Sequence, residues 1–194
     1  MSIIKLPSIN SDEGLIEAKL ALLAGQTLLL PTDTIYGLSC LANNEEAVRK
    51  IFAIKGRPTN KPLICLVNGL KMAQDLADID AKTKAYLLSI WPGPVTVVLP
   101  GLNKLPAVVT GGLSTIALRW PLHNWLNKLI TLVDQPIIST SANLAGQPSV
   151  INLMAVERYF INQTPDLVID AGELNNEPSQ IVDGHNLADI KIIR

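Results

Sequence analysis

The chain alternates short, mainly apolar runs with longer segments in which apolar residues recur every three or four positions. Runs of roughly four to eight residues have the length of a buried strand. They predict strands at residues 27–30, 63–67, 94–100, 115–120, 136–140, 167–170, 180–183 and 190–194. The periodic segments predict helices over residues 12–24, 43–56, 70–76, 81–91, 122–134 and 151–161. Because helices and strands interleave throughout, the pattern predicts an α/β or mixed α+β fold, an open twisted sheet with helices on its faces.

The first two predicted helices carry capping signals. Asn10 and Glu13 have the spacing of a capping box, and Gly25 can end the first helix. Asn44 is placed to cap the second helix, and Gly56 is placed to stop it. In the first helix, an apolar stripe predicts the buried face: Leu15, Ile16, Leu20 and Leu23.

Composition limits the class of protein. A length of 194 residues suits a single domain over residues 1–194, and 48% hydrophobic residues supply a sizeable core. A formal net charge of −1 indicates no broad surface for nucleic acid or membrane, so any anion site must be local. Cys40 and Cys65 lie far apart, and they are interpreted as buried small residues in a reducing compartment. With no apparent signal peptide or membrane-spanning run, the sequence predicts a cytoplasmic protein.

Polar or glycine-rich turns repeatedly follow the carboxyl ends of predicted strands, at residues 31–34, 111–112, 119–121 and 139–143. Open α/β sheets commonly bind ligands at such ends, so we expect these turns to line one concave cleft. The sequence contains no Walker-type phosphate loop, no dinucleotide-binding glycine motif, no GxSxG elbow and no HExxH pair. His123 and His185 are far apart, and neither is predicted to be catalytic.

The segment KGRPTNKPL, residues 55–63, concentrates cations beside a predicted strand. Lys55 and Arg57 flank a glycine at a helix end, and prolines stiffen the exit. An arginine fork and a compact lysine charge together suit a polyphosphate. Taken alone, the segment is better explained by cations that complement the helix dipole.

Three other polar positions leave two interpretations open. The segment STSAN, residues 139–143, is either a donor-rich site or an ordinary polar turn. The segment PTDTIYGL, residues 31–38, either binds an amine and a hydroxyl or is a turn held by Asp33. Arg119 ends an apolar strand and needs a partner, either a carboxylate ligand or a structural ion pair.

Six motifs in order resemble the YrdC-like family, the threonylcarbamoyl-AMP synthases: PTDTIYGL, KGRPTNKPL, WPGPVTVVLP, ALRWP, STSANLAGQPS and PSQIVDG. They cover about residues 29–193, and the chain looks like the short bacterial type. The resemblance implies a single YrdC-like domain with a concave ligand cleft. It also implies condensation of L-threonine, bicarbonate (or carbon dioxide) and ATP to threonylcarbamoyl-AMP and pyrophosphate. Other proteins would then transfer the threonylcarbamoyl group to tRNA.

The resemblance also implies site residues. It assigns ATP contacts to Lys55, Arg57, Lys61, Ser141, Asn143, Ser149 and Arg194. It assigns threonine contacts to Thr34, Arg119, Ser139 and Ser179. Within these sets, the reaction centre is formed by Lys55, Arg57, Ser141 and Asn143. Magnesium is expected as a cofactor that accompanies ATP, with no protein ligand identified.

Carbamate formation needs no enzymic nucleophile, and attack on the α-phosphate needs alignment and charge stabilisation. A cleft of Lys, Arg, Ser and Asn therefore agrees with this chemistry. Three alternatives remain: an RNA-binding module for tRNA or double-stranded RNA without catalysis, a related carbamoyl-adenylate enzyme, and a structural role. An aromatic content of only 4% weighs against a broad RNA surface.

Overall fold

The computed structural model of the chain describes residues 1–6, 12–144, 146–160, 163–185 and 190–194. The strands of its sheet are β1 (Ser2–Lys5), β2 (Leu28–Leu30), β3 (Gly37–Leu41), β4 (Ile64–Leu66), β5 (Val95–Pro100), β6 (Thr115–Arg119), β7 (Ile137–Ser141), β8 (Leu167–Asp170), β9 (Gln180–Asp183) and β10 (Lys191–Ile192). They form one ten-stranded sheet in the order β1-β8-β2-β3-β7-β4-β6-β5-β9-β10. The sheet is mixed: β4 and β6 are parallel, whereas β7 is antiparallel to both of its neighbours, β3 and β4.

Helices cover both faces of this sheet, as the sequence predicts. They are α1 (Leu15–Leu23), α2 (Glu45–Lys55), α3 (Leu70–Leu76), α4 (Ala81–Ile90), α5 (Ala107–Thr110), α6 (Asn124–Val133) and α7 (Leu153–Tyr159). The larger core cluster lies on one face and includes side chains of α2, α3, α4, α5 and α7. The smaller cluster lies on the other face, where α1 and α6 pack on the sheet. The predicted α/β or mixed α+β architecture is confirmed.

The caps of α2 agree with the sequence. The side chain of Asn44 accepts a hydrogen bond from the backbone N–H of Ala47 at 3.0 Å. Gly56 ends the helix in the left-handed region at φ 59°, where a glycine has no steric penalty.

The prediction for α1 was partly wrong. The helix begins at Leu15 after Gly14, and Asn10 of the predicted capping box lies outside the described residues. The buried side chains are Leu15, Ala18 and Leu22, so three members of the predicted stripe are exposed instead: Ile16, Leu20 and Leu23. The segment LIEAKLALL is apolar on most sides, and its hydrophobic pattern alone does not select a face.

Three elements were not predicted from the sequence: β1, β3 and α5. Strand β3 contains a glycine and a serine and follows a polar loop, so it lacks a continuous apolar run. It nevertheless lies inside the sheet between β2 and β7, and all five of its residues are buried. None of the helices among the described residues combines the length and the apolar character that a bilayer-spanning segment needs.

Candidate active site

A cavity of about 240 Å³ opens on the sheet face that carries α1 and α6. Two neighbouring rows of paired residues explain its position. In the first row, Leu66 of β4 lies beside Ile137 of β7 and Arg119 of β6. Leu66 and Ile137 both belong to the core cluster that α1 and α6 cover. In the next row on the same face, Ile64 pairs with both Ser139 and Ala117. Ile64 and Ser139 line the cavity, which therefore begins where helical cover ends.

Arg119 lies at one side of this cavity and is 4% exposed. Its Nη2 donates to Asp33 Oδ1 at 2.6 Å, and its Nη1 donates to Thr34 Oγ1 at 3.1 Å. Its Nε donates to the carbonyl of Gly93 at 3.1 Å. Burial lowers the pKa of Arg119, and the carboxylate of Asp33 opposes that change. The buried ion pair is therefore present, and this guanidinium still faces a cavity large enough for a ligand.

Lys55 is the last residue of α2 and is 3% exposed. Its Nζ donates to the backbone carbonyls of Ser141 at 2.5 Å and Asn143 at 3.0 Å, and to Asn143 Oδ1 at 2.7 Å. An ammonium group has three N–H donors, so these contacts account for all of them. Burial lowers the pKa of Lys55 to about 8, and the charge of Arg57 contributes to the decrease. In this arrangement Lys55 holds the segment 141–143 in place, and its direct contact with phosphate stays a prediction.

Arg57 is half-buried and has donors to spare. Its Nη2 donates to the carbonyl of Pro62 at 2.8 Å, and its guanidinium carbon lies 5.7 Å from the centre of the Phe52 ring. Its Nε is buried and has no hydrogen-bond partner among the described residues. Burial also lowers the pKa of Arg57. A buried donor without a partner is costly, so a bound oxyanion here would satisfy it.

A second, more open cavity of about 450 Å³ lies beside the first. It is lined by Lys55, Arg57, Pro58, Lys61, Ser141, Asn143 and Gly146. Arg57 and Ser141 line both cavities, so the two spaces meet at these residues. The Ser141 hydroxyl donates to Asn143 Oδ1 at 2.8 Å, which fixes this junction. Five of the residues assigned to ATP by resemblance thus line the open cavity.

The residues assigned to threonine line the smaller cavity: Thr34, Arg119, Ser139 and Ser179. Ser179 is buried, and its hydroxyl lies 3.0 Å from that of Thr96. Arg194, which was assigned to ATP, also lines this cavity and donates to the carbonyl of Ser179 at 3.1 Å. Ser149 is partly buried beyond β7 and is not among the residues that line either cavity.

The expectation that four turns line one cleft holds for three of them, because residues of the turns 31–34, 119–121 and 139–143 line the smaller cavity. The strands before these turns do not all end at the same side of the sheet, since β6 and β7 run in opposite directions and Arg119 and Ser141 end them at opposite sides. The site residues lie together because their side chains share one face of the sheet. In addition, Asp33 and Thr34 in the loop after β2 accept hydrogen bonds from Arg119. The turn at Gly111 lines neither cavity, since it packs against the backbone of Asn60.

Neither histidine lines the two cavities. His123 is 6% exposed and caps α6, where its Nδ1 accepts a hydrogen bond from the N–H of Leu126 at 3.3 Å. His185 is exposed beside Asp183. Cys40 and Cys65 are fully buried free thiols, as predicted.

Comparisons with known proteins agree with the fold and with the arrangement of the motifs. A profile of the Sua5/YciO/YrdC family, described as telomere recombination, matches residues 20–194. A threonylcarbamoyl-AMP synthase of Pyrococcus abyssi is 39% identical over 171 residues, which are 85% of this chain and 50% of the relative. One of Pseudoalteromonas translucida is 36% identical over 181 residues, which are 91% of this chain and 96% of the relative.

Solved structures give the same result. A crystal structure of P. abyssi Sua5 complexed with L-threonine superimposes with a TM-score of 0.90 at 34% identity, covering all of this chain and 57% of that one. Escherichia coli YciO superimposes with a TM-score of 0.89 at 22% identity, which shows the shared fold. The chain thus spans about half the length of the P. abyssi relative and nearly all of the Pseudoalteromonas one. From the profile match and these identities, the chain belongs to the Sua5/YciO/YrdC family.

Proposed function

We propose that this protein is an L-threonylcarbamoyl-AMP synthase, which condenses L-threonine, bicarbonate and ATP to threonylcarbamoyl-AMP and pyrophosphate. The observation that carries the proposal is the pair of cavities that meet at Arg57 and Ser141. A reaction that joins an amino acid to a nucleotide needs two such sites with a common boundary. The relatives named for this activity, including one matched over 96% of its length, support the same function.

The smaller cavity suits one amino acid. Its volume of about 240 Å³ lies below the roughly 300–1,000 Å³ that is usual for drug-sized ligands. Three arginines line it, Arg57, Arg119 and Arg194, and no Asp or Glu among the described residues does. Positive charge there favours a carboxylate, while the hydroxyls of Ser139 and Ser179 can contact the polar part of the amino acid. The P. abyssi structure with L-threonine supports threonine as that substrate.

The open cavity suits the triphosphate of ATP. Lys55, Arg57 and Lys61 line it, so it can offset several negative charges. Among the described residues no group of three or more His, Cys, Asp or Glu side chains could hold a metal ion. We therefore propose that magnesium enters as the magnesium complex of ATP, held by the phosphates and water.

The chemistry follows from this placement. The threonine amine adds to carbon dioxide, supplied by bicarbonate, and loses a proton to give a carbamate. A carbamate oxygen then bonds to the α-phosphorus as the bond to pyrophosphate breaks, without a covalent enzyme intermediate. Ser141 and Arg57 line both cavities, and the Ser141 hydroxyl contacts Asn143 in the open one. We therefore expect the carbamate to meet the phosphate beside Ser141 and Asn143, with Arg57 next to the charge that develops. Proteins that transfer the threonylcarbamoyl group to tRNA would consume the product.

The test is pyrophosphate release by the purified protein with ATP, magnesium, threonine and bicarbonate, together with mass spectrometry of the adenylate. We expect release only when threonine and bicarbonate are both present. Threonine-independent release, or no release over a range of pH and salt, would contradict the proposal. Salt-sensitive RNA binding that ignores ATP and threonine would instead favour the RNA-binding module.

A further inference from the structure

Asp33 lies in the loop between β2 and β3 and is absent from the residues that line either cavity. Its carboxylate joins two distant parts of the chain. Oδ1 accepts from Arg119 at 2.6 Å, and Oδ2 accepts from the backbone N–H of Leu122 at 3.0 Å. Because both oxygens are engaged, the carboxylate has a fixed orientation. It can therefore fix the orientation of the guanidinium that it contacts.

The contacts of Arg119 show what this orientation achieves. A guanidinium has five N–H donors in a rigid plane. Three of the donors of Arg119 are used, one each by Asp33, Thr34 and Gly93. The remaining two have no partner among the described residues, and the side chain lines the amino-acid cavity. Three anchors on one planar group leave it little freedom to turn.

Charge alone would not explain the pairing. Three arginines line the small cavity, and Asp33 neutralises one of them. If Arg119 acted only by its charge, Asp33 would weaken the attraction for an anionic ligand. Asp33 compensates the charge of a guanidinium that is only 4% exposed. The pair also has a geometric effect: it aims the unused N–H groups, and bidentate recognition of a carboxylate depends on the direction of the arginine fork.

We propose that Asp33 is the positioning residue of the amino-acid pocket, which holds Arg119 in the orientation that binds the carboxylate of the substrate. The inference rests on the proposed function. It assigns a role to the loop aspartate that is separate from direct contact with substrate. It also predicts that Asp33 affects amino-acid binding while leaving nucleotide binding unchanged, because the cations of the open cavity do not contact Asp33.

The experiment measures dissociation constants of L-threonine, L-threoninol and ATP by calorimetry for the wild type and Asp33→Asn, with the exposed Asp75→Asn as matched control. We expect Asp33→Asn to raise the threonine constant roughly 10- to 100-fold, the size expected for a weakened charge-assisted hydrogen bond. Binding of ATP and of L-threoninol, which has no carboxylate, should change less than about twofold, within ordinary mutational scatter. Asp75→Asn should match the wild type.

A second pair of variants covers the case in which Asp33→Asn does not fold because Arg119 is left unpaired. Arg119→Gln and the double variant Asp33→Asn/Arg119→Gln both lack the guanidinium charge, and in Arg119→Gln the Asp33 carboxylate can keep its hydrogen bond from the N–H of Leu122. If Asp33 acts through Arg119, the two should bind threonine equally weakly. Unchanged threonine binding in Asp33→Asn, an equal loss for L-threoninol and ATP, or a further loss in the double variant would overturn the inference. A wild type that does not bind threonine at all would overturn the proposed function itself.

Discussion

Gly37 of β3 pairs with Ser141 of β7, and its Cα lies close to the side chain of Ser139 on the same strand, so this contact gives a test of the cavity floor. A Cβ built on Gly37 would lie 2.3 Å from Ser139 Oγ, far inside van der Waals contact, but 3.5 Å from Ser139 Cβ. No positive φ is involved at Gly37, so an alanine there is resisted only by that hydroxyl. We therefore expect the effect of Gly37→Ala to depend on the residue at position 139.

Two opposing effects set the change in the free energy of unfolding that Gly37→Ala causes. Overpacking costs about 1–3 kcal/mol, while alanine in place of glycine within a strand gains about 0.5–1 kcal/mol. Gly37→Ala alone should thus destabilise the protein by about 0–2.5 kcal/mol. In the Ser139→Ala background the nearest contact becomes an ordinary one, so the same change should stabilise the protein by about 0.5–1 kcal/mol. The gain from replacing glycine is common to both backgrounds, so the coupling free energy equals the overpacking cost of about 1–3 kcal/mol.

Urea unfolding of the wild type, both single variants and the double variant measures this coupling, provided that the m-values agree. Gly69→Ala is the control, because a Cβ there would meet nothing within 4 Å. If Gly37→Ala changed the free energy of unfolding equally in both backgrounds, to within the usual additivity error of about 0.5 kcal/mol, the Ser139 hydroxyl would not be what resists the added Cβ. Threonine affinity should fall with Gly37→Ala, since Ser139 Oγ must leave its place in the cavity.

Replacing Arg57 by alanine should reduce threonine-dependent pyrophosphate release at least about 100-fold, as for loss of a transition-state donor. The midpoint of urea unfolding should stay near that of the exposed control Arg49→Ala. Wholesale unfolding of the Arg57 variant would favour a structural role. Tyr36→Phe should destabilise the protein by about 1–3 kcal/mol, because the buried hydroxyl donates to Gly172 at 2.7 Å and accepts from a backbone N–H at 2.9 Å; an unchanged unfolding midpoint would contradict this. Burial lowers the pKa of His123 below its usual 6.5, so the unfolded chain binds more protons just below pH 6.5 and stability should fall as the pH drops through that range. His123→Asn, which caps without titrating, should lose this acid sensitivity in urea unfolding at pH 5.5 and 7.5; an equal pH dependence in both proteins would argue against it.

Local signals were sufficient for much of the fold. The apolar runs located β4, β5 and β6, because a buried strand needs a short, nearly continuous hydrophobic segment. No such run marks β3, because its glycine and serine interrupt the apolar pattern. That strand is fixed by pairing with β2 and β7, which lie at distant places in the chain. Strand β1 was missed for a related reason, since three of its four residues are exposed and its pairing with β8 defines it.

The sequence by itself determined which chemical groups this protein has available: the cations at residues 55–61, the polar segment 139–143 and an arginine at the end of an apolar strand. It also determined the family, because the order and spacing of these motifs are a property of the chain. Only the tertiary structure decided which of these side chains contact one another. Lys55 uses its donors on Asn143, 88 residues away, and Arg119 is held by Asp33, 86 residues away. Hydrogen bonds of this range depend on sheet register and face, and neither is encoded in the local pattern of hydrophobic and polar residues.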